Sequence, residues 1–310
     1  MGRGILLVTP VKNESSQLGD VIGHVADQSL RPVRWILVDD HSDDGSGELC
    51  RQAERAYPWI RAVEHRGSCR GRRLQEHVYE VQKTGFDFGT ALCRDEGVHY
   101  AYLAVLDSDM LPERDYYERL VGIMEGLPGM GIVSGGVYGI GDDGSLRRER
   151  GNGRWPWGGA RLIRRRCFED IGGLHPVNSG DTVSAIRALA LGYGVGQFPE
   201  VRTVQVRRTG SAMGLRRGYY LKGINDRFLG FPLPFAVSKA LYRCCRESVA
   251  LGAAYFWGYV TSFIRGDKVI DDPVVRRFCR WYFFRRIGSP GFPMAGNRHS
   301  GPSCAGRGSL

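Results

Sequence analysis

The sequence has no Cys-x-x-Cys pair among its eight cysteines, and two of them, Cys244 and Cys245, are adjacent. That spacing excludes a zinc ribbon or finger and offers no disulfide framework, so the cysteines read as reduced thiols of a cytoplasmic protein. The seven histidines are scattered without metal-ligand spacing. The apolar stretch Val249 to Ile264 falls short of the roughly 20 residues a membrane-crossing helix needs, and Gly252 and Gly258 interrupt it. No glycine-rich Lys/Arg loop follows the first apolar run; Thr9-Pro10-Val11-Lys12 stands there instead, against a nucleotidyltransferase. No nucleic-acid recognition module accompanies the basic residues, so no nucleic-acid partner is expected. A strand starting at Gly4 leaves no room for a signal peptide.

What is present is a chain of 310 residues, 42% hydrophobic and 25% charged. Such a chain holds one large α/β domain with an appendage. The net charge of +10 is unevenly spread: residues 202–310 carry 19 Lys and Arg against 5 Asp and Glu, while residues 1–201 are net acidic. A basic C-terminal third suits an anionic partner.

The most informative stretch is Tyr102-Leu103-Ala104-Val105-Leu106-Asp107-Ser108-Asp109. An apolar run ending in polar residues reads as a buried parallel strand. Its carboxylates then sit at the strand's C-terminal end, where open α/β sheets bind ligands. Residues i and i+2 point the same way. Asp107 and Asp109 can therefore share one hard cation, Mg2+ or Mn2+, with phosphate oxygens. A surface turn after a strand would give the same short motif.

Other runs repeat the pattern. Ile5 to Val8 predicts a strand, followed by a polar loop with Asn13 and Glu14 and a helix from Leu18 to Gln28. Trp35 to Val38 predicts a second strand. It runs into the acidic turn Asp39-Asp40-His41-Ser42-Asp43-Asp44-Gly45-Ser46, whose carboxylates can hold a nucleoside or cap a helix. Ile60 to Glu64 predicts a third strand, and Ala91 to His99 the helix before the central one. Between these, Arg66, Arg70, Arg72 and Arg73 lie among glycines, as a diphosphate clamp or a solvated loop. Beyond Asp109 the patterns give a helix at Tyr116–Glu125, a strand at Gly131–Val137 and a turn at Gly141-Asp142-Asp143-Gly144. Trp155 and Trp157 follow, as a sugar platform or core. Gly172-Gly173 ends a helix, and Asp181 opens another that runs to Leu191. Strands alternating with helices predict a doubly wound, mostly parallel sheet.

Four landmarks now stand in order: Thr9-Pro10-x-x-Asn13-Glu14, Val38-Asp39-Asp40 through Ser46, Leu106-Asp107-Ser108-Asp109, and Gly172-Gly173-Leu174 with Gly180-Asp181. The set resembles a family 2 glycosyltransferase of the GT-A fold over about residues 4–210. The resemblance implies a Rossmann-like α/β domain over residues 1–211, a nucleotide-diphospho-sugar donor, Mn2+ or Mg2+, and inverting single displacement onto a glycan or lipid-linked acceptor. It implies that Thr9, Pro10 and Glu14 line the nucleotide pocket. Asp40 would bind the base with Asp39 in support, Asp107 would approach the ribose, Asp109 would ligate the metal, and Asp181 would deprotonate the acceptor. Two departures stand out. The Ala-Arg-Asn of many relatives is Gly89-Thr90-Ala91-Leu92-Cys93-Arg94 here. Their metal-site histidine is missing from Val204 to Ser211, which leaves Arg207 or Arg208 to meet the diphosphate. A catalytically inactive nucleotide-sugar scaffold would keep the same fold.

Residues 212–287 mix cations with aromatics, including Arg216, Arg217, Trp257, Arg280 and Trp281. The pattern predicts a helical extension that rests on an anionic membrane at the inner face of the cell membrane, or a helical cap on the core. Residues 288–310, rich in Gly, Ser and Pro, read as a disordered tail.

Overall fold

The computed structural model describes residues 2–67, 74–141, 144–149, 155–206 and 214–288, with backbone only at residues 74–75 and 283–288. Arg207, Arg208, the arginines at 70, 72 and 73, the Asp142-Asp143 turn, the side chains of Arg285 and Arg286 and the tail at 289–310 lie outside the described residues.

The N-terminal half is β1 (Ile5–Val11), α1 (Leu18–Ala26), β2 (Arg34–Asp39), α2 (Ser46–Ala56), β3 (Ile60–Glu64), α3 (Leu74–Asp95) and β4 (Tyr102–Leu106). β3, β2, β1 and β4 lie side by side and all parallel. Their continuous apolar runs are buried on both faces. Ile5, Leu7, Trp35, Leu37, Ala104 and Leu106 pack one face against Leu18 and Val21 of α1 and Cys50 and Ala53 of α2. Their neighbours Leu6, Val8, Ile36, Val38, Leu103 and Val105 pack the other face against Val81, Phe86 and Cys93 of α3.

The second half is β5 (Met110–Pro112), α4 (Tyr116–Gly126), β6 (Met130–Ile140), β7 (Leu146–Arg148), β8 (Ala160–Arg164), α5 (Arg165–Asp170), α6 (Gly180–Ala190) and β9 (Gly194–Gln205). It extends the sheet to nine strands, in the order β3-β2-β1-β4-β8-β6-β9-β5 with β7 on β6. The sheet is mixed rather than mostly parallel: β8 runs antiparallel to both β4 and β6. β8 therefore aligns its first residues with the C-terminal end of β4, with Ala160 opposite Leu106. The loop before β8 is thereby delivered to the acidic strand end.

The expected helix at Ala91–His99 is the last part of α3, which starts at Leu74 and stops at Asp95. The glycine pair after α5 ends that helix as expected: Gly172 and Gly173 both have φ of +80°, and Gly173 N donates to Phe168 O.

Residues 215–288 form α7 (Leu215–Phe228), α8 (Leu233–Arg246), α9 (Val249–Ile264) and α10 (Pro273–Gly288). Among the described residues no helix is long and apolar enough to cross a membrane. α10 packs Val275 and Cys279 against Val183 and Ile186 of α6. α9 crosses α7 closely: a Cβ on Gly258 would stand 1.9 Å from Tyr220 O, and one on Gly223 would stand 2.0 Å from Tyr255 O.

Candidate active site

Three loops at the C-terminal edge of β1, β2 and β4 surround a cavity of about 210 Å3 lined by Pro10, Lys12, Glu14, Asp40, Val78, Val81, Asp107 and Asp109 among others. Five of the residues expected from the sequence thus meet at one place.

Thr9 does not line it. β1 continues through Val11, so strand alternation turns the Thr9 side chain to the face opposite Pro10. It is fully buried and accepts a hydrogen bond from Trp35 Nε1 at 3.0 Å. Asp39 also works behind the cavity. Its Oδ1 accepts from Ser42 N at 3.2 Å and holds the turn after β2.

The loops after β1 and β2 are latched together. Lys12 Nζ donates to Asp40 O and His41 O, each at 2.6 Å. Ser15 N donates to Asp44 Oδ2 at 2.9 Å, and Glu14 N donates to Ser46 Oγ at 2.8 Å. The Ser46 hydroxyl and the Ser15 N–H hold Asp44 well below the usual carboxylate range. Within the acidic turn the carboxylates divide their work: Asp39 and Asp44 brace the loop, and Asp40 faces the cavity.

Asp107 and Asp109 flank Ser108 at the end of β4. Burial pushes the Asp107 carboxyl up to about 7, with Asp109, Asp181 and Glu14 adding to the rise and the Arg161 guanidinium opposing it. Asp109 Oδ2 accepts from Gln205 Nε2 at 3.0 Å, and Val206 N donates to Asp109 O at 2.9 Å. β9 therefore brings Gln205, two residues before Arg207, against the acidic strand end.

Asp181 reaches the same place from α6. Ser179, just before the helix, has φ of 58°, one of three non-glycine positive-φ residues among the described ones. The others, Asn13 and His41, stand in the two latched loops. Backbone held in this sparsely populated region clusters where the surrounding structure fixes a site. The Gly158-Gly159 pair lies between the acids. A Cβ on Gly158 would stand 2.8 Å from Asp181 Oδ2, and one on Gly159 would stand 2.0 Å from Asp107 Oδ2. Neighbouring Trp155 and Trp157 are half-buried.

Sequence reasoning missed Tyr79, Arg161 and Gln205. Tyr79 packs its ring against Gly180, beside Asp181, and burial together with the Asp181 charge holds its phenol well above the ordinary range. Arg161 on β8 is 2% exposed and is the buried cation beside Asp107. No local signal marked these residues, because strand pairing and helix packing bring them in.

The cavity offers two kinds of donor. Asp107, Asp109 and Glu14 present carboxylate oxygens, the chemistry Mg2+ and Mn2+ take alongside phosphates. Asp40 instead stands beside two imidazoles: one donor atom each of Asp40, His65 and His77 lies within 4.8 Å of the others.

A mixed α/β sheet with carboxylates at its strand ends and an acid-bearing helix opposite them is the GT-A arrangement. The family model for glycosyl transferase family 2 matches residues 6–189, and the chain belongs to that family. It is 26% identical over 151 residues to the glycosyltransferase AglE of Haloferax volcanii, a match covering 47% of this chain and 43% of AglE. It is 25% identical over 123 residues to the glycosyltransferase GlyG of Streptococcus pneumoniae serotype 4, covering 39% of this chain and 35% of GlyG. The chain thus spans less than half the length of these relatives.

Among solved structures it resembles the mannosyltransferase PcManGT from Pyrobaculum calidifontis, in complex with GDP-Man and Mn2+. The TM-score is 0.51 at 17% identity, over 95% of this chain and 83% of that one. GalNAc-T7 with UDP, GalNAc and Mn2+ gives a TM-score of 0.55 at 16% identity, over 94% of this chain and 58% of that one. These likenesses establish the fold.

Proposed function

We propose that the protein transfers a sugar from a nucleotide-diphospho-sugar to an acceptor hydroxyl or phosphate by single displacement with inversion. The observation that carries the reading is the convergence of Glu14, Asp40, Asp107 and Asp109 on one cavity, with Asp181 across Gly158-Gly159 from Asp107.

In this reading Pro10 and Asp40 hold the nucleoside, with Asp40 accepting from the base, and Asp107 approaches the ribose. Asp109, with Glu14 beside it, is the oxygen-donor set for Mn2+ or Mg2+, which when bound supplies charge neutralisation for the leaving diphosphate. Arg207, two residues beyond Gln205, contacts that diphosphate. Asp181 takes the proton of the attacking acceptor, and the neighbouring Tyr79 ring helps to position that carboxylate. One base and one direct attack invert the anomeric carbon.

The acceptor class we favour is lipid-linked, a precursor of a cell-envelope glycan. The extension supports it: Val249, Trp257 and Ile264 recur along one face of α9 and are more than half exposed, with Arg216 beside Trp257. An apolar stripe beside cations suits peripheral contact with an anionic bilayer.

The test is calorimetric binding of UDP and GDP with and without Mn2+. Metal-dependent binding by wild type that Asp109→Ala abolishes is the expected result. Failure of both nucleotides to bind wild type would overturn the reading. Asp181→Asn is expected to keep that binding and lose turnover; unchanged turnover rejects Asp181 as the base.

A further inference from the structure

We infer that Asp40, His65 and His77 form a cation site of Zn2+ type, distinct from the Asp109 site and sharing Asp40 with the nucleotide pocket proposed above. The three residues come from adjacent elements. Asp40 directly follows β2 and His65 directly follows β3, and His65 N donates to Asp39 O at 2.8 Å. His77 stands near the start of α3. Asp40 and both histidines are less than a tenth exposed.

The donor set is chemically specific. Two imidazoles and one carboxylate suit Zn2+ and its borderline neighbours, whereas Mg2+ prefers oxygen alone. His65 Nδ1 lies 3.0 Å from Thr84 Oγ1, and the Thr84 hydroxyl donates its only proton to Glu80 O at 3.1 Å. With the hydroxyl so committed, Thr84 is placed to accept from His65 Nδ1–H, the tautomer that keeps the lone pair on Nε2. Such a bond from the other ring nitrogen is how proteins fix a ligating imidazole.

His77 shows the complementary feature. Its Nε2 lies 2.8 Å from Asp40 Oδ2. Its Nδ1 is buried without a hydrogen-bond partner among the described residues, 4.0 Å from the Glu80 carboxylate. As a plain His–Asp hydrogen bond this arrangement leaves one buried ring nitrogen unused, at a cost of about 1–3 kcal/mol. Ligation resolves it. The ring proton moves from Nε2 to Nδ1, facing Glu80, and Nε2 and Asp40 Oδ2 both turn to the ion. Metal–ligand bonds of about 2.0–2.1 Å at tetrahedral angles need these two atoms to part to roughly 3.3 Å, a shift of a side-chain torsion. Asp40 also lines the cavity, so the ion's remaining position opens to the cleft.

The test uses full-length protein stripped with chelator and titrated with Zn2+ by calorimetry, and with Co2+ by its visible d–d absorption. In excess Mg2+, which fills the Asp109 oxygen site, wild type and Asp109→Ala are expected to bind one tight Zn2+ equally well. His65→Gln and His77→Gln are each expected to weaken it by about tenfold or more. Absence of Zn2+ binding by wild type, retention by both histidine variants, or loss in Asp109→Ala instead would each overturn the assignment. Zinc-edge X-ray absorption on wild type counts imidazole ligands without any mutation, so the inference stays testable if a variant fails to fold. Two imidazoles support it, and none rejects it.

Discussion

Asp107 and Gly159 occupy each other's margin. Asp107 N donates to Gly159 O at 2.7 Å, and a Cβ on Gly159 would stand 2.0 Å from Asp107 Oδ2. The antiparallel pairing of β8 with β4 sets this approach, and any side chain at 159 must drive the Asp107 carboxylate from its place. Gly159→Ala is expected to lower Mn2+-dependent nucleotide affinity by at least about tenfold, about 1.4 kcal/mol. Gly122→Ala is the control, since nothing lies within 4 Å of a Cβ there. Gly122 sits within α4, where alanine is favoured by about 0.5–1 kcal/mol. Equal nucleotide affinity in both variants would show that Asp107 placement does not matter to binding.

Tyr79 and Asp181 make the second prediction. The phenol lies beside the Asp181 charge, so it is expected to act through Asp181. Tyr79→Phe removes the hydroxyl beside Asp181 and is expected to lower kcat about fivefold, the scale of about 1 kcal/mol for a polar contact of this kind, with nucleotide Kd unchanged. A rise in Kd with kcat intact would assign Tyr79 to donor binding instead.

The parallel strands were legible because Ile5 to Val8, Trp35 to Val38 and Tyr102 to Leu106 are continuous apolar runs, which only a strand buried on both faces requires. Two acidic ends were legible with them, since the second and third runs stop at Asp39 and Asp107. The long helix α3 was hidden by Gly85 and Gly89, which weaken helix propensity. Packing demands them: a Cβ on Gly85 would stand 2.4 Å from Val8 Cγ1, and one on Gly89 would stand 2.8 Å from Leu6 Cδ1. β8 escaped notice because Ala160 to Arg164 ends in cations and its partner strand is remote in sequence. His65 and His77 have no ligand spacing along the chain; the strand end and the helix start supply it in space. The Thr9 expectation overlooked one residue of strand alternation, which sends its hydroxyl to Trp35 instead of the cleft.

Asp272 ties the extension to the catalytic half. Its Oδ2 accepts from Arg187 Nε of α6 at 2.7 Å, and its Oδ1 accepts from Val274 N and Val275 N at the start of α10. Burial alone would raise this carboxyl, but the Arg187 hydrogen bond and the two N–H groups hold it below its ordinary 3.8. The sign follows: a depressed folded value stabilises the protein fully above the ordinary carboxylate range, and the contribution is lost as pH falls through the folded value. Asp272→Asn is expected to cost about 1–3 kcal/mol at pH 7. The gap to wild type in thermal melts is expected to narrow below about pH 4. A gap constant down to pH 2 would mean the loss comes from packing rather than charge.

The membrane reading also has to survive the way the extension is docked. Val275 and Cys279 of α10 cover Val183 and Ile186 of α6, the helix that carries Asp181. Deleting the extension would therefore strip the cover from α6, and activity lost that way would say nothing about lipid. Point changes on the open face of α9 separate the two. Trp257 is 61% exposed and Ile264 73%, whereas Tyr255 and Tyr259 on the opposite face are buried and hydrogen-bond Asp226 and Phe231 O. Burying each exposed side chain in a bilayer is worth about 1.5–3 kcal/mol. Trp257→Ser with Ile264→Ser is thus expected to cut binding to phosphatidylserine-containing vesicles at least about tenfold while leaving the thermal melt in place. The attraction of Arg216 and its neighbours to anionic headgroups is screened over about 10 Å at 0.1 M salt, so wild-type binding is expected to weaken as salt rises. Wild type that fails to float with anionic vesicles at low salt rejects peripheral attachment, and the exposed stripe then needs a protein partner.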